Sequence, residues 1–379
     1  MVTTEKPKGG LEDVVATSSA ICYLDGDRGV LAYAGHDIHD LATSATFEEV
    51  CYLLWHRRLP TRAELGDLQS QLAAERPLPE PIIRLMRSLP PVDGMDALRT
   101  LASALGHYDA EADVTSVQAQ DRKAVRLTAR TATVVATWGR LRAGGGPIAP
   151  DPVMGHAANF LYMLTGERPG ATAIRAFDVA LILHADHELN ASTFAARVAA
   201  ATLTDMYSAV VAAIGTLKGP LHGGANAEVM KMLLDLGQNA TPDRIDEAIR
   251  AKLARKEKIP GFGHRVYHTE DPRATHLRQM SLELGKRAGN TAWYDMSQRI
   301  EALVKSEKKL NPNVDFYSAS TYYTLGIPID LYTPIFAVSR MSGWTAHILE
   351  QYANNRLIRP RADYTGPAYP QRFIALDAR

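Results

Sequence analysis

The sequence predicts an all-α protein of two domains with one minor β-hairpin near its N-terminus. Three observations lead there. After residue 35, apolar positions recur with helical period almost throughout. Strand-like and helix-like runs never alternate, which speaks against a parallel sheet. A chain of 379 residues is also longer than one hydrophobic core usually serves.

The hairpin is read from AICYLDGDRGVLAYAG at 20–35, two short β-prone runs around a turn at Asp25–Gly29. Thr46-Phe47-Glu48-Glu49 has the form of a capping box ahead of the apolar run VCYLLWH. Residues 122–142, 153–164, 171–188 and 191–217 follow as long helices. The last is Ala-rich and apolar around much of its circumference. Small side chains permit such a helix to be buried on several sides, either central to one subunit or at a subunit interface. AEVMKMLLDL at 227–236 reads as a further helix. Thr241-Pro242 opens a charged, amphipathic surface helix, with Thr as N-cap and Pro at the first helical position. Segments 272–289, 292–309 and 333–355 complete the set. Gly/Pro-rich connections interrupt it at 144–147, 218–224 and 259–264.

Forty-two Lys and Arg balance forty-two Asp and Glu. No bulk charge recruits nucleic acid or an anionic membrane, so a bound anion requires a local cluster of cations. Two cysteines, Cys22 and Cys51, cannot build a disulfide framework or a four-Cys zinc site. The opening MVTTEKPKGGLEDVV lacks the apolar core of a signal peptide, and no apolar run reaches about 18 residues. A cytoplasmic protein is expected.

Four places could hold chemistry. In LHADHELN, 183–190, His184 and His187 lie three apart at the end of an apolar helix. The zinc-protease pattern H-E-x-x-H is absent, so no metal site is assigned; a helix-end histidine on the dipole's negative end and a substrate contact both stay open. In KGPLHGGANAE, 218–228, His222 precedes two glycines and a helix start, where positive potential favours neutral imidazole. Neutral imidazole can donate a hydrogen bond to a developing enolate oxygen. In IPGFGHRVYHTEDPRA, 259–274, a glycine loop presents His264, with Arg273 nine residues on. It lacks the third glycine and the preceding strand of a dinucleotide fingerprint. In NPNVDFYSAS, 311–320, Asp315 follows a polar turn; local sequence alone favours a helix N-cap, and a role as carboxylate base requires it to meet the histidines in space.

These segments together resemble the citrate synthase family. PLHGGAN, PGFGHRVY with DPRA, and PNVDFYS match its three catalytic blocks in order and spacing, and SRMSGWTAHILEQYANNRLIRPRADYTGP at 339–367 matches its C-terminal signature. The opening segments resemble those of shorter bacterial and archaeal members, without the extra N-terminal domain of NADH-regulated ones. The resemblance implies the two-domain helical fold of that family, with residues 1–218 and 329–379 as a large domain and 219–328 as a small one that closes over the site. It implies condensation of acetyl-CoA with oxaloacetate to citrate and CoA, without a metal or bound redox cofactor. Asp315 would be the base, His222 the donor to the thioester oxygen and His264 the donor to the oxaloacetate carbonyl. Arg273, Arg340 and His187 would hold oxaloacetate together with Arg359 from the partner chain of a homodimer; Arg361 ranks below them. CoA would lie along Pro260, Gly261, Phe262 and Gly263, with Lys256, Lys258 and Arg265 near its phosphates. Two positions depart from the family's pattern: His268, where relatives carry Lys or Arg, and His56, where glycine is common. The alternative within the family is 2-methylcitrate synthase, which uses propionyl-CoA.

Overall fold

The computed structural model describes residues 9–11 and 14–379. The first eight residues, read above for a targeting signal, lie outside the described residues, as do Glu12 and Asp13. The hairpin is present as β1 (Cys22–Asp25) and β2 (Val30–Tyr33), paired antiparallel with Cys22 opposite Tyr33 and Asp25 opposite Val30. A short β3 (His36–Asp37) adds a third strand, so the sheet runs β1-β2-β3.

Sixteen α-helices among the described residues make up the rest. The first five are α1 (Ile38–Ser44), α2 (Phe47–His56), α3 (Arg62–Glu75), α4 (Glu80–Ser88) and α5 (Gly94–Gly106). The capping box expected before α2 is formed, with Thr46 accepting from the Glu49 backbone and Glu49 reaching back. Next come α6 (Val117–Arg142), α7 (His156–Thr165) and α8 (Ala171–His184). α6 starts five residues earlier than expected because Ser116 caps it. α8 stops at His184, so His187 sits in a turn rather than on a helix.

The expected helix 191–217 is two helices, α9 (Ala191–Ala200) and α10 (Met206–Leu217). Leu203 takes a left-handed φ of 65°, and Asp205 accepts from the Ser208 N–H to cap a new start. The two halves therefore fold back and pack on each other. The chain continues with α11 (Ala225–Leu236), α12 (Pro242–Ala254), α13 (Pro272–Arg287), α14 (Ala292–Lys308), α15 (Val314–Thr324) and α16 (Tyr332–Ala353). Thr241 caps α12 with Pro242 at its first position, as the sequence indicates.

α16 is the hub. It is buried on nearly every side and packs against α2, α5, α6, α8, α9 and α10. A second group gathers around α15, with α11, α13 and α14 against it and α12 against α14. α13 reaches across to α8 and α1. Between the groups, loop ends from several helices converge.

Candidate active site

Six segments meet at this junction: the α8–α9 turn, the α10–α11 loop, the α12–α13 loop, and the first turns of α13 and α15 with the middle of α16. Asp271, at the end of the α12–α13 loop, ties the first turns of α13 and α15 together. It caps α13 through the Arg273 N–H, grips the Arg273 guanidinium with both oxygens at 2.9 and 2.8 Å, and accepts from the Val314 N–H at 3.1 Å. One buried carboxylate thereby sets the start of α13, the start of α15 and one arginine. The glycine loop is tied to the same place. Gly263 N–H donates to Asn311 O, and Asn313 donates to Gly261 O and Gly263 O. Gly261 and Gly263 both take left-handed φ angles of 79°, which glycine adopts without strain.

Asp315 lies in the first turn of α15. The cap of that helix is Asn313, which accepts from the Asp315 N–H, so the N-cap reading of Asp315 is corrected. Its carboxylate is free for other work. Oδ1 is buried without a hydrogen-bond partner, and burial pushes the group up to about 7, with Arg273 and Arg340 pulling the other way and Asp271 adding to the rise.

The imidazoles are held neutral, and two of them are held in a defined tautomer. His264 Nδ1 accepts from the backbone N–H groups of Val266 and Tyr267 at 3.0 and 3.1 Å, so its proton sits on Nε2. His222 Nε2 accepts from the Ser192 N–H at 3.3 Å, which places its proton on Nδ1. Ser192 Oγ lies 2.8 Å from the same nitrogen and accepts from Trp344 Nε1 at 3.1 Å. Burial lowers both rings to about 4, helped by Arg340 at His222 and by Arg273 at His264. His187 is buried beside His264, ring centres 5.2 Å apart, and its Nε2 is 3.2 Å from Tyr267 Oη. Burial, then Arg273, holds it well below the usual histidine range.

Arg340 comes from α16. Its Nε donates to His184 O at 2.7 Å, its Cζ lies 4.8 Å from the centre of the Phe336 ring, and Nη1 is buried without a partner. A buried donor without a partner costs about 1–3 kcal/mol, more when charged, which a ligand carboxylate would recover. Arg340 acts on His187, His222 and Asp315, and Arg273 on His187, His264 and Asp315. The two cations and four titratable groups thus share one electrostatic centre, suited to a small dianion with a polarisable carbonyl.

The other expected residues are placed as follows. Lys256, Lys258 and Arg265 are exposed along the rim of the glycine loop, Pro260 and Phe262 are half-buried, and Gly261 is buried. Arg359 is exposed in the irregular segment after α16 and is not brought to this centre by its own chain. His184 donates from Nδ1 to Ala180 O at 2.7 Å, and burial lowers it to about 3. It is a neutral core histidine, not a cation on a helix dipole. Among the described residues no group of three His, Cys, Asp or Glu side chains could hold a metal ion. His268 is 2.7 Å from Asp27. Sequence reading assigned no role to Tyr267, Asp271, Ser192 or Trp344. Asp271 before Pro272 carried a helix-start signature; the partners of the other three are distant in sequence.

Known proteins resemble the chain throughout. The family model described as citrate synthase, C-terminal domain, matches residues 10–361. Citrate synthase 2 of Bacillus subtilis is 58% identical over 374 residues, 98% of each chain. A 2-methylcitrate synthase of Shewanella oneidensis is 42% identical, covering 98% of this chain and 97% of its own. Among solved structures, the ternary complex of carboxymethyl coenzyme A and oxaloacetate with citrate synthase from Thermoplasma acidophilum superposes with a TM-score of 0.90 at 31% identity, covering 97% of this chain and 98% of that one.

Proposed function

The chain belongs to the citrate synthase family, and we propose how its residues divide the condensation of acetyl-CoA with oxaloacetate that this enzyme catalyses. Asp315 takes a proton from the acetyl methyl group while His222 Nδ1–H donates to the thioester oxygen. The enol carbon then attacks the ketone of oxaloacetate, whose oxygen receives a hydrogen bond from His264 Nε2–H. Hydrolysis of the thioester releases citrate and CoA. Arg273, Arg340 and His187 hold the dianion. The observation that carries this reading is the pair of neutral, oppositely tautomerised imidazoles, His222 under the influence of Arg340 and His264 under that of Arg273, with both buried guanidinium groups also acting on a carboxylate raised to about 7. Each ring supplies a donor without first losing a full proton, and the carboxylate is matched to neutral operation. No resident metal or redox cofactor is needed for these steps.

In the same reading, residues 219–328 form a small domain that closes on a large one made of 1–218 and 329–379. Support comes from the packing of α11, α13 and α14 around α15. CoA lies along the glycine loop with Lys256, Lys258 and Arg265 at its phosphates; His268 faces Asp27 instead. The enzyme works in the cytoplasm as a homodimer in which Arg359 reaches the partner's oxaloacetate, and its exposure in its own chain is consistent with that. Among the described residues no helix is long and apolar enough to cross a membrane.

Thiol release from acetyl-CoA with and without oxaloacetate tests the reaction, and the ratio of kcat/KM for acetyl-CoA to that for propionyl-CoA tests the acyl group. One methylene discriminates by only about 1–3 kcal/mol. A preference for propionyl-CoA would assign the chain to 2-methylcitrate synthesis. Mixing Arg359→Ala chains with His264→Ala chains is expected to restore a fraction of active sites; no recovery in verified heterodimers would mean that the site is not shared.

A further inference from the structure

The α8–α9 turn carries His187 but has little secondary structure of its own to hold it. Residues 185–190 leave α8 and enter α9, and Glu188, next to His187, takes a left-handed φ of 51°. A non-glycine residue in that region is strained and persists only where neighbours determine it. The neighbour here is Asp186. Its Oδ2 accepts from the Glu188 N–H at 3.2 Å, closing a short side-chain turn around His187, and lies 3.3 Å from His347 Nε2. Both Asp186 and His347 are fully buried.

His347 is itself fixed from behind. Arg197 can only donate, and its Nη1 is 3.2 Å from His347 Nδ1, so Nδ1 accepts and the ring proton lies on Nε2, facing Asp186. Arg197 is anchored by Glu350 at 2.6 Å and Gln351 at 3.1 Å, and Glu350 accepts from the Ala20 N–H ahead of β1. Every bond from Arg197 through His347 to Asp186 thus has one permitted direction. The backbone of the turn is held from its other side, where Tyr33 Oη is 3.0 Å from Asp186 O and 3.2 Å from Ile182 O.

We propose that Asp186, locked by the buried relay Arg197–His347, is a positioning residue that holds the strained 186–188 turn and thereby aims His187 at oxaloacetate. The proposal rests on the assignment of His187 to that substrate. Asp186 touches no reacting atom; it acts through the backbone on both sides of His187. Both contacts that order the turn, to the Glu188 N–H and to His347 Nε2, fall on the one oxygen Oδ2.

The test is a double-mutant cycle in steady-state kinetics on the full-length enzyme. His187→Ala alone is expected to raise KM for oxaloacetate. If it does not, the assignment of His187 fails, independently of Asp186. Asp186→Ala and His347→Phe are each expected to raise KM for oxaloacetate by about fivefold, the size of one lost hydrogen bond, with KM for acetyl-CoA changed less than twofold. Asp186→Asn keeps an acceptor of the same shape and is expected to restore KM to within about twofold of the original. In a His187→Ala background, His347→Phe should cost nothing further in oxaloacetate KM. Additive losses, equal rises for both substrates, or an Asp186→Asn enzyme as impaired as the alanine variant would overturn the proposal. Should Asp186→Ala fail to fold, His347→Phe and its combination with His187→Ala still decide.

Discussion

The first consequence at the scale of single residues concerns Asp315. A carboxylate raised to about 7 by burial is half protonated near neutrality, and only the ionised form can accept a proton from a carbon acid. The two imidazoles proposed as donors are lowered to about 4, so neither changes charge between pH 5 and 8. The acid limb of kcat/KM for acetyl-CoA therefore belongs to Asp315 alone and should fall about tenfold per pH unit below 7. A profile flat down to pH 5 would refute that assignment. Asp315→Ala should lower kcat by about 10²–10⁴-fold while leaving oxaloacetate affinity, measured by calorimetry, nearly intact. A variant that mainly loses affinity would make Asp315 a binding residue instead. The residue types of this site were legible in the sequence: the glycine loops, the histidines and the acidic turn all stood out locally. Their partners were not. Ser192 is thirty residues from His222, and Tyr267 reaches His187 across eighty positions. Such pairs are made by tertiary packing, which no local spacing encodes. His184 shows the same limit in reverse, since a helix-end position suggested a charged ring and complete burial made a neutral one.

At the scale of elements, the reading succeeded where caps are written in adjacent residues and failed where they are not. Thr46 with Glu49 and Thr241 with Pro242 start helices where expected. The division of 191–217 was missed because an apolar, Ala-rich run hides its break; the signal was the short Thr-Leu-Thr-Asp cluster, with Asp205 as a new cap. The hairpin was foreseen as an isolated element, yet its tip docks on the loop that carries His264. His268 N–H donates to Gly26 O at 3.0 Å, and Asp25 Oδ1 accepts from the Asp27 and Arg28 N–H groups, stiffening the tip. A Cβ on Gly26 would stand 2.0 Å from Val266 O and 2.8 Å from Val266 C, so the two backbones approach too closely for any side chain. Gly26→Ala should push the tip away from residues 264–268 and lower kcat/KM for oxaloacetate about tenfold, the worth of one or two hydrogen bonds, with little change in far-UV circular dichroism. Unchanged kinetics would mean that the hairpin tip does not hold this loop.

For the whole molecule, the same burial that tunes the site sets a pH limit on the fold. Burial lowers His156 and His184 to about 3 and His222 and His264 to about 4, and holds His187 well below the usual range. Unfolded, each would titrate near about 6.5. As pH falls from there, the unfolded chain takes up protons that the folded chain refuses, so these five groups remove stability on acidification. Carboxylates raised by burial act in the opposite sense. Burial raises Asp178, beside Glu48, and Asp315 to about 7, so the folded chain keeps protons that the unfolded chain has released. Each of these two adds stability as pH falls from about 7 toward about 4. The buried imidazoles outnumber these carboxylates, so the net effect of acidification from about pH 6 to 5 is a loss of stability. A domain-sized protein has only about 5–15 kcal/mol to lose. The ligand-free enzyme should therefore be most stable near neutrality and lose much of its thermal stability by pH 5, in a scan of melting temperature against pH. A melting temperature at pH 5 equal to or above that at pH 7 would show that these rings are not buried neutral in solution, and the donor roles of His222 and His264 would fall with it.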